Sequence, residues 1–234
     1  MENKNFETLR EDGVLYLKNL NSEEQMRTIL TETERFIETK KPYQAKVDEN
    51  TNFNLLRKQN KTIINKRIAH RDGDEGMVDV WNYDKMLSNE CKEIIYNYAS
   101  KINEMISKSF SCEYEIKTFN LYLNKEVQET RGLHADSDFF PSRIKSFLFL
   151  TDVKDKSYGP FSYIRGSHTG TGLKYHRKYD IFEPLMEDEK DKYVIFDNVS
   201  AGDTVIACVS GAHRGIPQEK NRERKVLVIS YDPK

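Results

Sequence analysis

Cysteine is scarce in this chain: three in 234 residues, at positions 91, 112 and 208. The count is odd and no CxxC spacing occurs, which argues against a disulfide framework and a structural zinc site and fits a reducing compartment. Long apolar runs are also missing. None approaches the ~18 residues that a membrane span needs, and the opening MENKNFETLREDG lacks the apolar core of a secretory leader. No membrane partner is expected, and a cytoplasmic location is the default. Nor is either charge in excess: 37 Lys and Arg stand against 38 Asp and Glu, for a net charge of −1. Without a global positive field, nucleic acid is not an expected partner. Internal repeats and low-complexity tracts are absent as well.

Aromatic residues, by contrast, are plentiful, with 13 Tyr and 12 Phe. Together with a length that can bury a substantial core, they mark a globular chain. The run GVLYLKNL after Asp12-Gly13 predicts a short strand. Ser22 then caps a helix in which Met26, Ile29, Leu30 and Phe36 recur at helical spacing to about Thr39. Residues 43–75 are polar and include KTIINKRIAHR and DGDEG. They read as a long irregular stretch of the kind that forms lids or binding loops. A second helix is predicted over 88–108, with Ile94, Ile95, Tyr98, Ile102, Met105 and Ile106 on one face.

After Phe110 the texture changes. Segments 114–124, 144–151, 160–165, 193–196, 203–209 and 224–231 are short, rich in β-branched and aromatic residues, and separated by turn residues. The expectation is a mainly β fold with flanking helices, its core a sandwich or jelly roll. Residues 1–234 are read as one domain. A mainly helical N-terminal elaboration, 1–110, would pack on a core spanning 111–234.

The segment GLHADSD places His134 and Asp136 one residue apart. On an extended chain, residues i and i+2 face the same way, so an imidazole and a carboxylate converge on one ion. The pair alone is a short pattern that also suits a strand-end histidine bonded to a turn. His213, in SGAHRGIP, adds a second imidazole. Two histidines and one carboxylate on one face of a metal leave the other face open, as in the facial triad of non-haem iron(II) oxygenases. Arg224 follows His213 by 11 residues, with the turn GIPQEKN between them. If 212–216 and 224–230 are neighbouring antiparallel strands, its guanidinium reaches the metal pocket, where it is suited to a bidentate grip on a carboxylate. Its neighbours Arg222 and Lys225 read as surface residues.

The order of HxD, GPFSYIRGSH, AGDTVIACVSGAHRG and an arginine 11 residues beyond the histidine resembles the phytanoyl-CoA dioxygenase family over about residues 114–231. That resemblance implies a double-stranded β-helix (cupin-like jelly roll) core. It implies iron(II) held by His134, Asp136 and His213, and 2-oxoglutarate and dioxygen as co-substrates. It also implies that Arg224 binds the distal carboxylate of 2-oxoglutarate. The implied activity is hydroxylation of a C–H bond in a small or carrier-bound metabolite, with succinate and carbon dioxide released. Related halogenases lack the carboxylate ligand, whereas Asp136 is present here. Two departures stand out. Arg165 occupies the place of a usual proline in RGSH, and Gly215 occupies that of a serine that often helps hold 2-oxoglutarate. Thr204, Asn120 and Tyr122 are candidate replacements for the missing hydrogen bond.

Other residues carry plainer readings. His168 reads as a hydrogen-bonding turn residue and His176 as a surface residue. His70, with Asp72 and Asp74, reads as part of a solvated loop. Trp81 reads as an anchor that packs the preceding region onto the core. Arg131, three residues before His134, is placed at the pocket mouth to meet an anionic substrate. Two alternative functions remain open at this point: a non-catalytic jelly-roll protein that binds a metal or ligand, and a cupin-type metalloenzyme that does not use 2-oxoglutarate. Arg224 separates them from the oxygenase, because neither needs a carboxylate clamp beside the metal.

Overall fold

The computed structural model describes residues 2–39, 62–66, 76–136, 141–169 and 190–234. It begins with a helix that the sequence reading lacked, α1 (Glu2–Asp12). Gly13 ends it: its N–H donates to Leu9 O at 3.0 Å and its φ is +73°. That left-handed value turns the chain into β1 (Val14–Leu17). Helix α2 (Glu23–Thr39) opens with a capping box. Gln25 N–H donates to Ser22 Oγ at 3.2 Å, and Ser22 N–H donates to Gln25 Oε1 at 2.9 Å. Helix α3 (Asn89–Phe110) is capped by Ser88, whose side chain accepts from Cys91 N.

The remaining elements are strands: β2 (Ile63–Lys66), β3 (Met77–Trp81), β4 (Tyr114–Lys125), β5 (Ile144–Phe149), β6 (Phe161–Ile164), β7 (Tyr193–Ile195), β8 (Thr204–Cys208), β9 (His213–Gly215) and β10 (Glu223–Pro233). A seven-stranded sheet runs β1-β8-β5-β10-β4-β3-β2, and a three-stranded sheet runs β7-β6-β9. The described ladders are antiparallel. This is the jelly-roll core that the strand pattern predicts.

Alternation along the central strands sorts the two cores. Leu227, Ile229 and Tyr231 of β10 share a cluster with Ile29, Phe36, Ile95, Ile102 and Ile106 of the helices. Val226 and Val228, offset by one residue, instead join Phe147, Phe149 and Phe161 between the two sheets. Burying each such aliphatic or aromatic side chain contributes about 1.5–3 kcal/mol, so the larger sheet is held from both faces. Among the described residues, no helix is long and apolar enough to cross a membrane.

Two expectations change. The N-terminal part is more than a helical layer, because β1, β2 and β3 extend the large sheet at its two ends. And 212–216 and 224–230 are not neighbouring strands. β9 pairs with β6 in the small sheet, whereas β10 pairs with β4 and β5 in the large one. The turn between them switches sheets, so His213 and Arg224 face each other across the interior. His70, Asp72, Asp74 and His176, and most of 43–75, lie outside the described residues.

Candidate metal centre

His134 and His213 are tied to each other through the backbone. His134 N–H donates to His213 O at 3.0 Å, and His213 N–H donates to His134 O at 2.9 Å. This single antiparallel bridge sets the two rings side by side, with centroids 4.6 Å apart. Two residues on from His134, Asp136 N–H donates to Val209 O at 2.7 Å, which fixes the carboxylate on the same side.

The rings are oriented by carbonyls. His134 Nδ1 lies 2.9 Å from Gly132 O, and His213 Nδ1 lies 2.8 Å from Gly211 O. A carbonyl can only accept, so each neutral ring carries its proton on Nδ1 and presents a lone pair on Nε2. Burial is the main cause that pushes both histidines below their usual pKa, with His213 and Arg131 adding to it at His134. Burial would raise Asp136. Lys145 outweighs it, with Arg131 and any protonated imidazole adding to the effect, and the carboxyl is held well below its usual range. Neutral imidazoles and an ionised carboxylate are the protonation states a metal ion requires.

The donor set fits iron(II). One ligand atom from each of His134, Asp136 and His213 lies within 4.8 Å of the others. His134 Nε2 is buried and has no hydrogen-bond partner among the described residues. It sits 3.5 Å from Asp136 Oδ1, while Asp136 Oδ2 accepts from Lys145 Nζ at 2.7 Å. Two nitrogens and one oxygen on one side of an ion leave the positions that a bidentate keto acid and dioxygen need.

The centre opens into a cavity of about 730 Å³ between the two sheets, and Arg224, Asn120, Tyr122 and Arg131 all line it. Arg224 faces inward from β10 and is only 9% exposed. Its neighbour Lys225 points the other way and pairs with Glu34 of α2 at 2.7 Å. Asn120 Nδ2 donates to Asp79 Oδ1 at 3.0 Å.

Thr204 is a correction. It sits on β8 at the helical face of the sheet, fully buried, with its hydroxyl 3.1 Å from Tyr98 Oη. Its strand neighbours Val205 and Ala207 face the interior instead, so Thr204 has no path to a co-substrate there.

His168 is the turn residue the sequence suggested. Its Nε2 lies 3.0 Å from Arg10 O and pins the end of α1. Trp81 is buried in β3, where its Nε1 donates to Asp79 Oδ2 at 2.7 Å. It also lines the cavity, which the anchor reading did not include. The sequence reading missed Lys145, and it missed Arg143, whose guanidinium grips Asp232 at 2.6 and 2.8 Å beside the cavity. Alternation in RIKSFLF was the available signal for Lys145: Ile144 and Leu148 pack on the helices, which leaves 145, 147 and 149 for the interior.

The sequence matches the phytanoyl-CoA dioxygenase (PhyH) family over residues 9–225. The chain belongs to this family. With the triad above, that makes it an iron(II)- and 2-oxoglutarate-dependent oxygenase. No curated protein sequence matches the chain. Among solved structures it is similar to AviO1 from Streptomyces viridochromogenes Tue57, at 16% identity and TM-score 0.67, with 99% of this chain and 95% of that one covered. It is also similar to SnoK, a non-haem α-ketoglutarate-dependent carbocyclase from nogalamycin biosynthesis, at 15% identity and TM-score 0.68, with 98% and 83% covered. A third is HygX from Streptomyces hygroscopicus with nickel, 2-oxoglutarate and hygromycin B bound, at 11% identity and TM-score 0.59, with 98% and 86% covered. At these identities the likeness is one of fold. The phytanoyl-CoA dioxygenase assignment rests on the sequence match, and it removes the alternatives of a non-catalytic binding protein and of a cupin-type metalloenzyme that does not use 2-oxoglutarate.

Proposed function

We propose that residues 1–234 form a single oxygenase domain that oxidises a C–H bond of a small molecule seated between its two sheets. His134, Asp136 and His213 hold iron(II), and Arg224 grips the distal carboxylate of 2-oxoglutarate. With iron and 2-oxoglutarate bound, the site supplies the oxidant: one oxygen atom of dioxygen goes into succinate as carbon dioxide leaves, and the other goes to the substrate as a hydroxyl. The protein's own part is positional. The carbonyls of Gly132 and Gly211 hold both Nε2 atoms toward one point. Lys145 holds one carboxylate oxygen of Asp136, which leaves the other for the metal. Phe147, Phe149 and Phe161 make the wall behind the site apolar and keep bulk water from it.

The observation that carries this reading is that three metal donors and a buried arginine line one cavity. A metal-binding protein without oxygenase chemistry has no use for the arginine. Arg131 lines the same cavity and is our candidate for a substrate's anionic group. A free small molecule is favoured over a carrier-bound one. HygX, a structure of the same fold, holds hygromycin B.

The test needs no prime substrate. Purified protein is given iron(II), 2-oxoglutarate and oxygen, and succinate is measured against controls that omit each in turn. Slow succinate release that depends on all three is expected. No succinate, together with no 2-oxoglutarate binding under anaerobic conditions, would refute the proposal.

A further inference from the structure

The cavity has two ends, and the co-substrate uses one of them. Ser230 lies six residues beyond Arg224 along β10, roughly 20 Å away at the rise of a strand. A five-carbon diacid that joins Arg224 to the metal leaves the Ser230 end free for the molecule to be oxidised. The register shows what stands there. Lys145 of β5 pairs with Ser230 of β10, and Ser230 pairs in turn with Thr118 of β4. All three side chains line the cavity, in one row across three strands. Lys145 Nζ reaches Asp136 Oδ2 at 2.7 Å, so the row borders the metal centre.

This end is polar, and its charges are matched within the protein. Lys145 is paired with Asp136, and Arg143 holds both carboxylate oxygens of Asp232 at the rim. A further ionic group finds no charge in the row left to match it. Nor does a hydrocarbon chain fit. Laid along the row, it would strip water from the Thr118 and Ser230 hydroxyls without replacing the hydrogen bonds. What the row offers is two hydroxyls that both donate and accept, on strands whose facing Cβ atoms are about 5 Å apart. That is the scale of two equatorial hydroxyls on non-adjacent carbons of a six-membered ring. Trp81 supplies the other half of such a site. Its indole N–H is taken by Asp79, so it turns ring carbon toward the cavity that it lines. The C–H face of a saturated ring packs on such a surface while its hydroxyls bond around the edge.

We propose that the substrate is a polyhydroxylated ring, a sugar or cyclitol, whose hydroxyls bond to Thr118 and Ser230 and whose C–H face packs on Trp81. An anionic substituent on the ring falls to Arg131. The proposal rests on the oxygenase reading above and names the substrate class of that same site. One oxygen atom of dioxygen enters a C–H bond of the ring as a hydroxyl, and the other enters succinate as carbon dioxide leaves.

The test starts from the succinate that the iron(II)-loaded protein releases with 2-oxoglutarate and oxygen alone. Probe sets are then added: methyl glucoside, glucuronate and myo-inositol; octanoate and octanoyl-CoA; free amino acids. At least one polyol should raise succinate release above the probe-free rate and gain one oxygen atom by mass spectrometry, while the acyl and amino-acid sets do neither. For that polyol, Thr118→Val and Ser230→Ala should each raise KM by about 3- to 10-fold, and the double variant by about 10- to 100-fold, as one and two hydrogen bonds are lost. A purely structural role would lower the yield of folded protein and leave that KM alone. Stimulation by acyl or amino-acid probes in place of polyols, stimulation by no probe, or a KM within about twofold of wild type in both single variants overturns the proposal and leaves the oxygenase reading standing. If succinate release without any probe is itself absent, the oxygenase reading fails first and this inference with it.

Discussion

Substituting lysine at Arg224 separates charge from geometry at the carboxylate grip. The arginine projects inward from β10, is 9% exposed and sits beside the bare backbone of Gly215. Solvent therefore screens it little. A guanidinium that meets a carboxylate edge-on makes two charge-assisted hydrogen bonds, each contributing about 1.5–3 kcal/mol. Losing both, as in Arg224→Met, removes about 3–6 kcal/mol, or roughly 100- to 10,000-fold in affinity at 1.4 kcal/mol per decade. Lysine keeps the charge and one donor but loses the fork, so Arg224→Lys should lose about half of that energy and bind roughly 10- to 100-fold more weakly. The distal carboxylate takes no part in bond making, so the loss should fall on KM for 2-oxoglutarate, with kcat at saturation nearly kept. Succinate release against 2-oxoglutarate concentration gives both constants, and an anaerobic titration gives Kd directly. If Arg224→Met raises KM less than about threefold, or if lysine matches arginine, the grip lies elsewhere in the cavity and the assignment is wrong.

Other expectations follow from the same geometry. His134→Ala and His213→Ala each remove one of three donors, and stoichiometric iron(II) uptake, measured by metal analysis after desalting, should vanish while circular dichroism stays that of the wild type. Burial holds His134, His168 and His213 below the usual histidine value of 6.5. The unfolded chain therefore binds protons first as pH falls. The metal-free protein should lose stability progressively below about pH 6.5, until the depressed folded values are reached. Equal urea midpoints at pH 7.5 and 5.5 would contradict that. Gly13→Ala should cost about 2–5 kcal/mol, because φ +73° is strained for alanine and its Cβ would run into the His168 ring and the Tyr163 hydroxyl. A melting temperature within about 2 °C of wild type would show that α1 relaxes away without cost.

Periodicity made the β-core legible. The segments expected from β4 onward match the strands to within a few residues, and those in the large sheet alternate between a face packed on helices and a face packed on the small sheet. Helix α1 escaped notice because ENKNFETLRED carries too few apolar residues for a stripe. What places it is tertiary: Leu9 is fully buried, and His168 bonds to the Arg10 carbonyl from far along the chain. β2 and β3 escaped for a related reason. At four and five residues they are too short for periodicity to mark, and the ladder that joins β2 to β3 and β3 to β4 decides the matter more than local composition does.

The site was legible where chemistry is local and illegible where it crosses the fold. His134 and Asp136 share a face by spacing alone. His213 could be joined to them only by analogy, since the bond that joins it is a backbone bridge to His134. Arg224 was placed correctly in the cavity by a mistaken route. Adjacent antiparallel strands were assumed, whereas the turn after His213 carries the chain from the small sheet to the large one. The outcome survives because a jelly roll encloses its ligand between sheets, so residues on opposite walls converge as well as residues on one wall. Thr204 shows the converse. One residue of alternation sends a hydroxyl from the cavity to Tyr98, and no motif around it records which face it takes.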